Sequence, residues 1–274
     1  MCAIIAGIWS FVVVAQVLYI ISAMNRDLTR LLAEWPYDSE STTRVIEADD
    51  GRSVLQVRLP LGIEQYELIG RPDGERPFGK ESVLEEMESR VTEHIMKHGT
   101  DDGFELSHEE CDLLHSEAIL FYYRYLLLFQ MNDYDRVAAD TLHNLRMCRL
   151  FESYCYSDED RDAVVQYKPY IVRMNAMARA MKAMKGQEKQ SAASIIEEAI
   201  EDIESMEDLE SPAFQFERIR SVNYLKAALK QLGPSDAPVE TVLKEELDKA
   251  VREENYERAA ELRDRIRTIR SEGS

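Results

Sequence analysis

The pattern of hydrophobic and polar positions divides the chain into segments of different kinds. Residues 42–70 alternate β-forming and polar side chains around a turn at residues 49–51, and a third short run follows. Alternation of this kind around Asp and Gly is typical of antiparallel hairpins. Between residues 107 and 233 the apolar residues recur at helical spacing. The pattern therefore predicts a mainly α protein with a small N-terminal antiparallel β-meander.

The helical middle has the plan of successive helix pairs. Helices are predicted over residues 82–98, 108–131, 137–154, 159–185, 195–203 and 212–232. Two pairs consist of a long helix, a short polar break at Asn132 or Gly186, and a helix that begins with small residues. This middle loosely resembles tetratricopeptide repeats, but the breaks lie 54 residues apart, whereas that family repeats about every 34 residues. Repeat-like stacking and an ordinary helical bundle remain equal alternatives.

The N-terminal segment contains an uncharged run. Residues 2–23 carry no Asp, Glu, Lys or Arg, and a membrane-spanning helix needs about 20 mostly apolar residues. Arg26 and Arg30 follow it, which by the positive-inside rule places the rest of the chain in the cytoplasm. We therefore expect a single-pass anchor over residues 1–23 in the inner membrane. The alternative is that translation starts at Met24 and that the protein is cytoplasmic.

The C-terminal segment has the sharpest helical pattern. Its first apolar stripe consists of Leu243, Leu247, Ala250 and Val251, and its second of Tyr256, Ala259, Ala260, Ile266 and either Leu262 or Ile269. Glu254 and Asn255 interrupt the two stripes. Because this link is short, the two helices must be antiparallel.

Such a hairpin is too small to be stable by itself. Helices of about four turns are marginal in water, because most helix stability comes from tertiary packing. The small side chains of Ala259 and Ala260 allow another helix to approach closely. The expected partner is therefore a complementary helical hairpin on another protein, or a second copy of this chain.

These residues also resemble a known motif. The string Leu-x3-Leu-x2-Ala, followed by Glu254-Asn255-Tyr256-Glu257-x-Ala259-Ala260-x-Leu262-Arg263-Asp264-x-Ile266, is similar to the UVR motif. That motif occurs in subunits B and C of the bacterial excinuclease, in some Clp-type chaperone ATPases and in their small regulators. The resemblance implies a hairpin that pairs with another copy. It places fold and interface on Tyr256, Ala259, Ala260, Leu262, Arg263 and Asp264.

The resemblance covers only the end of the chain. Helicase motifs, a nuclease domain and paired CxxC modules, which the parent families would bring, are not recognisable in the sequence. The resemblance therefore implies the interaction module and no parent activity. The predicted organisation is an anchor at 1–23, a small α+β region at 24–98, a helical bundle or repeat-like domain at 107–233 and a UVR hairpin at 237–272.

Charge restricts the class of partner. The chain contains 33 Lys and Arg against 52 Asp and Glu, a formal net charge of -19. Such a surface repels phosphate backbones, so we expect no direct binding of nucleic acid. Residues 197–210 contain eight carboxylates and no base. This run predicts a solvated helix face, or alternatively a docking surface for a basic partner.

Candidate chemistry is sparse. His94 and His98 are four residues apart, as are Cys111 and His115, and two such pairs on facing helices would suit a tetrahedral Zn²⁺. Their spacing matches no standard zinc finger. Residues 74–81 approach a phosphate-binding loop, but Glu81 replaces the required Ser or Thr, which favours a structural turn.

The sequence contains no recognisable nucleophile motif. We therefore expect no enzymatic activity and no cofactor. The predicted function is that of an interaction or adaptor protein acting through the C-terminal hairpin. The alternatives are an accessory factor that docks onto a nucleotide-excision-repair subunit or a Clp-type chaperone, and a metal-binding protein.

Overall fold

The computed structural model describes residues 27–233 and 262–266, together with single residues 243, 247, 250, 258 and 260. This part of the chain is mainly helical and contains a three-stranded antiparallel sheet, which confirms the predicted fold class. The chain forms two compact units, residues 1–68 and residues 69–274.

The first unit contains the predicted β-meander. Its strands β1 (Thr43–Glu47), β2 (Ser53–Leu59) and β3 (Gly62–Glu67) pair antiparallel in the order β1-β2-β3. The turn between β1 and β2 contains Gly51 at φ 84°, a conformation that glycine adopts without strain. A short helix, α1 (Thr29–Glu34), precedes the sheet. The apolar pattern does not indicate α1, because none of its residues is buried.

The second unit contains the long helices. They are α2 (Val83–His98), α3 (His108–Gln130), α4 (Tyr134–Tyr154), α5 (Asp158–Val165), α6 (Lys168–Lys185), α7 (Lys189–Glu204) and α8 (Pro212–Leu232). Five of these begin at a side-chain oxygen that accepts a hydrogen bond from the amide three residues later. The capping residues are Ser82, Ser107, Asp133, Ser157 and Ser211. Caps of this kind satisfy amides that have no partner within the helix.

The prediction of one helix over residues 159–185 is wrong. The structure has two helices there, α5 and α6, separated at Gln166 and Tyr167. Pro169 is the second residue of α6. In a continuous helix the nitrogen of Pro169 would face the carbonyl of Val165 without a proton to donate, and its ring would clash with that carbonyl. In the first turn of a new helix a proline carries no such cost.

The two predicted breaks have the same backbone geometry. At the end of α3 the amide of Asp133 donates to the carbonyl of Leu128 at 2.9 Å, and the amide of Asn132 donates to that of Phe129 at 3.0 Å. At the end of α6, Glu188 donates to Ala183 at 2.9 Å, and Gln187 donates to Met184 at 3.0 Å. Each turn is thus a Schellman motif that satisfies the last helical carbonyls.

The helices stack as pairs. α3 packs against α4, and α4 packs against α6, which forms a second hairpin with α7. The last helix, α8, lies against both α6 and α7. This arrangement confirms the prediction of a helical-hairpin middle. It also leaves a concave region lined by residues of α3, α4, α5, α6 and α8.

The prediction of an inner-membrane protein is corrected by the structure. Within residues 27–233 and the described C-terminal residues, no helix has the length and apolar character needed to cross a bilayer. The helix α3 buries charged residues, Glu117 and Arg124, among protein side chains. Residues 1–23, to which the anchor was assigned, lie outside the described residues. The described residues thus do not support the predicted single-pass membrane location.

Candidate functional site

The described residues of the C-terminal hairpin form an apolar cluster. Leu243 and Ala250 from the first predicted stripe are buried, as are Leu262 and Ile266 from the second, and Leu247 packs against them. All five are helical. The spacings of four and seven residues place the members of each stripe on one helix face. The cluster therefore joins the two predicted stripes.

Charged side chains of the same segment face outward. Arg258, Arg263, Asp264 and Arg265 are exposed, and Ala260 is half-buried. The Arg263 Nε atom lies 3.7 Å from the Asp264 Oδ1 atom, with both side chains about two-thirds exposed. An exposed pair of this kind contributes little stability. Three other predicted interface residues, Val251, Tyr256 and Ala259, lie outside the described residues.

The predicted metal ligands do not converge on one point. The rings of His94 and His98 are in contact, with centroids 4.4 Å apart and planes tilted by 34°. His94 Nε2 lies 3.1 Å from the carbonyl of Asp102. Both histidines border a shallow surface cavity of about 370 Å³. Cys111 is buried, whereas His115 lines a different cavity. The two pairs are on separate helices, and packing directs their donor atoms to different places.

Cys111 instead meets two residues that the sequence analysis did not select. Its Sγ atom lies 3.2 Å from that of Cys155, and a carboxylate oxygen of Asp160 lies within 4.8 Å of both sulfurs. His108 Nδ1 lies 2.9 Å from Asp160 Oδ2. Burial, reinforced by the neighbouring Cys155, raises the pKa of the Cys111 thiol. Hydrogen bonding to Asp160 raises the pKa of His108. We call Cys111, Cys155 and Asp160 the thiol–carboxylate cluster.

Backbone pairing brings the two cysteines together. The amide of Leu106, just before α3, donates to the carbonyl of Tyr154 at the end of α4 at 2.8 Å. This bond belongs to an isolated parallel bridge between Leu106 and Cys155. Cys111 and Cys155 are 44 residues apart in the chain. No local motif marks such a pair, because the proximity results from tertiary packing.

A second cavity, of about 440 Å³, is lined by residues of α3, α4, α5, α6 and α8. Its wall is rich in tyrosine. The lining includes Tyr122, Tyr123, Tyr125, Tyr167 and Tyr170, with Asn144, Glu217 and Arg220 as polar members. The buried Oδ1 atom of Asn144 and Oε2 atom of Glu217 have no hydrogen-bond partner. The sequence did not single out these tyrosines, because their helical spacing gives no signal that distinguishes a cavity wall from a core.

Residues 74–81 form a turn. Pro77–Gly79 is a single 3₁₀ turn, and Phe78 has φ 57°. The carboxylate of Glu81 pairs with Arg76. Its negative charge would oppose a bound phosphate. This geometry agrees with the structural turn that the sequence favours.

The comparisons with known proteins concern the hairpin. Residues 241–272 match the family model described as the UvrB/uvrC motif, UVR. No curated protein and no solved structure matches the chain. The match includes the described apolar cluster of the hairpin and none of the helices α1 to α8. The C-terminal segment of this chain therefore carries a UVR motif.

Proposed function

We propose that this protein is a non-enzymatic adaptor that binds a complementary helical hairpin through its UVR motif. The observation that supports the proposal most directly is the family match at residues 241–272, together with the apolar cluster in the same segment. UVR motifs mediate protein interactions. The complementary hairpin belongs to a partner protein or to a second copy of this chain.

The size of the apolar cluster supports a docking partner. Its described members are five side chains, one of them an alanine, from two short helical stretches. Short helices are marginal in water unless their apolar faces pack against further partners. A second hairpin would bury the remaining apolar surface by inserting side chains between those of the first.

The charge of the protein supports a protein partner over nucleic acid. A formal net charge of -19 repels phosphate backbones, most strongly at low salt. The acidic run at residues 197–210 adds to that repulsion. Its carboxylates are exposed on α7 and beyond, and some pair with basic side chains of α8, such as Lys226 with Glu204 at 2.7 Å. The proposal assigns no catalytic reaction to the chain.

The test is an affinity experiment with three forms of the protein. Immobilised full-length chain, a truncation ending at Gly233 and the variant Leu262→Glu are compared for captured proteins. Light scattering measures the mass of each form. Leu262 is 1% exposed, and a buried unpaired carboxylate disrupts the apolar cluster without removing the segment. We expect both altered forms to lose the specific partner, or to become monomeric if the hairpin pairs with itself.

The matched control is Lys97→Gln, which changes an exposed charge on α2. It should capture the same proteins as the unaltered chain. If the truncation and Leu262→Glu retain the partner and the mass of the full-length protein, the hairpin is not the binding element and the proposal fails.

The alternative is a narrower role, as an accessory factor of nucleotide excision repair or of a Clp-type chaperone. The matching family is named after UvrB and uvrC, which favours the first. Purified excinuclease subunits and Clp-type ATPases serve as separate binding arms in the same experiment. Retention of one of these by the full-length chain, and not by the truncation, would identify the partner. Binding of neither restricts the proposal to a different protein or to self-pairing.

A further inference from the structure

We propose that Cys111, Cys155 and Asp160 form a binding site for one thiophilic divalent cation, with Zn²⁺ as the best match. This site is distinct from the UVR hairpin and does not depend on the proposed function. It also differs from the histidine site considered from sequence, since Cys111 is their one shared residue. Two thiolates and a carboxylate are a ligand set that zinc accepts.

The distances within the cluster suit a tetrahedral ion. Zinc binds sulfur at about 2.3 Å and oxygen at about 2.0–2.2 Å, so adjacent ligand atoms in a tetrahedron lie roughly 3.6–3.8 Å apart. The two sulfurs are 3.2 Å apart, and the carboxylate oxygen lies within 4.8 Å of both. The sulfurs would separate by about half an ångström and the carboxylate would close in by up to about 1 Å. Side-chain rotations of that size leave the backbone in place.

The three ligands come from three different elements with defined positions. Cys111 lies one turn into α3, Cys155 caps the end of α4, and Asp160 is the third residue of α5. The backbone bond from Leu106 to Tyr154 connects the start of α3 with the end of α4. Ser157 caps α5 by accepting from the amide of Asp160 itself. The ligands are therefore preorganised before any ion binds.

The electrostatic environment of the cluster favours negatively charged ligands around a bound ion. Cys111 and Asp160 both lie near helix N-termini, where the helix dipole and free amides stabilise negative charge. A Zn²⁺ ion with two thiolates and one carboxylate carries a net charge of about −1. Binding of the ion would also release the protons of the two thiols, because the thiolate is the form that coordinates a metal. Bound metal and helix dipoles thus act in the same direction.

His108 supplies a supporting contact outside the cluster. Its Nδ1 atom lies 2.9 Å from Asp160 Oδ2 and 3.0 Å from Asp160 Oδ1, so the imidazole fixes the position of the carboxylate as a whole. We assign His108 as a positioning residue and not as a ligand. The Asp160 side chain is 17% exposed and Cys155 is half-buried. The fourth coordination position therefore faces solvent and is open to water.

Two thiols this close have a competing fate, which is oxidation to a disulfide. Hydrogen peroxide would accept two electrons and two protons from the pair, giving one S–S bond and two water molecules. A disulfide would use the two sulfurs alone, whereas a carboxylate oxygen of Asp160 also lies within 4.8 Å of both. The geometry therefore points to metal binding, and the disulfide is one outcome of the test.

The test uses the purified full-length protein, reduced and freed of metal with a chelator. It is titrated with Co²⁺ and then with Zn²⁺, alone and in competition with a chromophoric chelator. We expect one equivalent of cobalt to bind and to produce thiolate-to-cobalt charge-transfer absorption together with the strong visible bands of a tetrahedral ion. Zinc should displace the cobalt and raise the unfolding temperature, since a ligand that binds only the folded state stabilises it.

Variants separate the site from its surroundings. Cys155→Ser and Asp160→Asn alter ligands that are not in the deep core, so the chain should still fold, and they should abolish the charge-transfer band or reduce zinc affinity by more than about 100-fold. His108→Ala should weaken zinc binding by about 10–100-fold, as the loss of an outer-shell contact does. Cys148→Ala and the double variant His94→Ala with His98→Ala are the matched controls. Both should bind one equivalent, as the unaltered protein does.

Each contrary result overturns the proposal. Binding of less than about a tenth of an equivalent at micromolar zinc would exclude the site. Retention of tight binding by Cys155→Ser and Asp160→Asn, or its loss in the His94 and His98 double variant, would assign the ion elsewhere. Formation of the Cys111–Cys155 disulfide in the reduced protein on exposure to air, detected as a mass loss of two hydrogens with no bound metal, would establish a redox pair instead.

Discussion

Glu117 connects two helices through its side chain. This carboxylate is completely buried in α3, and it accepts hydrogen bonds from the amides of Val83 at 2.7 Å and Leu84 at 3.1 Å. Those amides are the first two of α2, which have no partner within their own helix. Arg71 lies 3.4 Å from the same carboxylate. Glu117 thus stabilises the N-terminus of α2 from a different element.

Removing this carboxylate should destabilise the protein strongly. Glu117→Ala leaves two buried amides and a nearby arginine without their acceptor, and we expect the free energy of unfolding to fall by roughly 3–5 kcal/mol. Urea denaturation followed by circular dichroism measures the change. Ser116→Ala, at the exposed neighbouring position, is the control and should stay within about 0.5 kcal/mol. Similar effects of the two substitutions would contradict the assigned role.

The buried pair Arg124–Asp140 provides a second test at the residue scale. The Asp140 carboxylate accepts from Arg124 at 2.8 and 2.6 Å, and both side chains are almost fully buried. Asp140→Asn should cost about 3–5 kcal/mol, because it leaves a buried guanidinium without its counter-charge. Glu88→Gln breaks the half-exposed pair with Arg146, which should cost less than about 1 kcal/mol. Chemical denaturation compares the two, and the reverse order would refute the argument.

At the scale of elements, the two Schellman turns use different residues for the same backbone conformation. The left-handed positions are Asn132 at φ 60° and Gln187 at φ 62°, whereas Gly186 has φ −80°. Asn tolerates this region, and the Asn132 Oδ1 atom also accepts from the Tyr134 hydroxyl at 2.6 Å. Gln has no such compensation. The glycine that marks this break in the sequence is therefore one position before the strained residue.

Gln187→Gly should consequently stabilise the protein. The left-handed region costs a residue other than glycine roughly 1–2 kcal/mol. Glycine avoids that cost but loses more conformational entropy on folding. The free energy of unfolding should therefore rise by about 0.5–1 kcal/mol. A thermal melt shows it as a higher unfolding temperature. The matching Asn132→Gly should give no gain, since it also removes the bond to Tyr134. A lower unfolding temperature for Gln187→Gly would show that the turn is not strained.

On the scale of the whole molecule, the division into two units predicts independent folding of the second. Residues 69–274 contain both apolar clusters of the helical body, and they retain Gly70 and Arg71, which bond to Arg124 and Glu117. A chain that starts at Ile69 should therefore unfold cooperatively and keep the helical circular dichroism of the full protein. A broad, non-cooperative transition would show that the helical unit depends on residues 1–68.

Local signals explain why much of the fold is readable from the sequence. Ser107 with Glu110 forms a capping box at α3, Asn132 with Asp133 ends that helix and starts the next, and Gly51 permits the turn of the meander. The UVR hairpin has a similar origin, since its motif occupies a short continuous segment. Pro169 was equally visible, yet the long apolar pattern around it concealed the break between α5 and α6.

The sequence by itself determined the fold class, most of the helices and strands and the interaction motif, because these depend on residues within a few positions of one another. Only the tertiary structure decided which distant side chains meet. Cys111 and Cys155 are 44 residues apart, and Glu117 caps a helix that begins 34 residues earlier. Helix packing sets such contacts through the shapes of whole faces, and no spacing along the chain encodes them. The thiol–carboxylate cluster was therefore undetectable until α3, α4 and α5 were placed together.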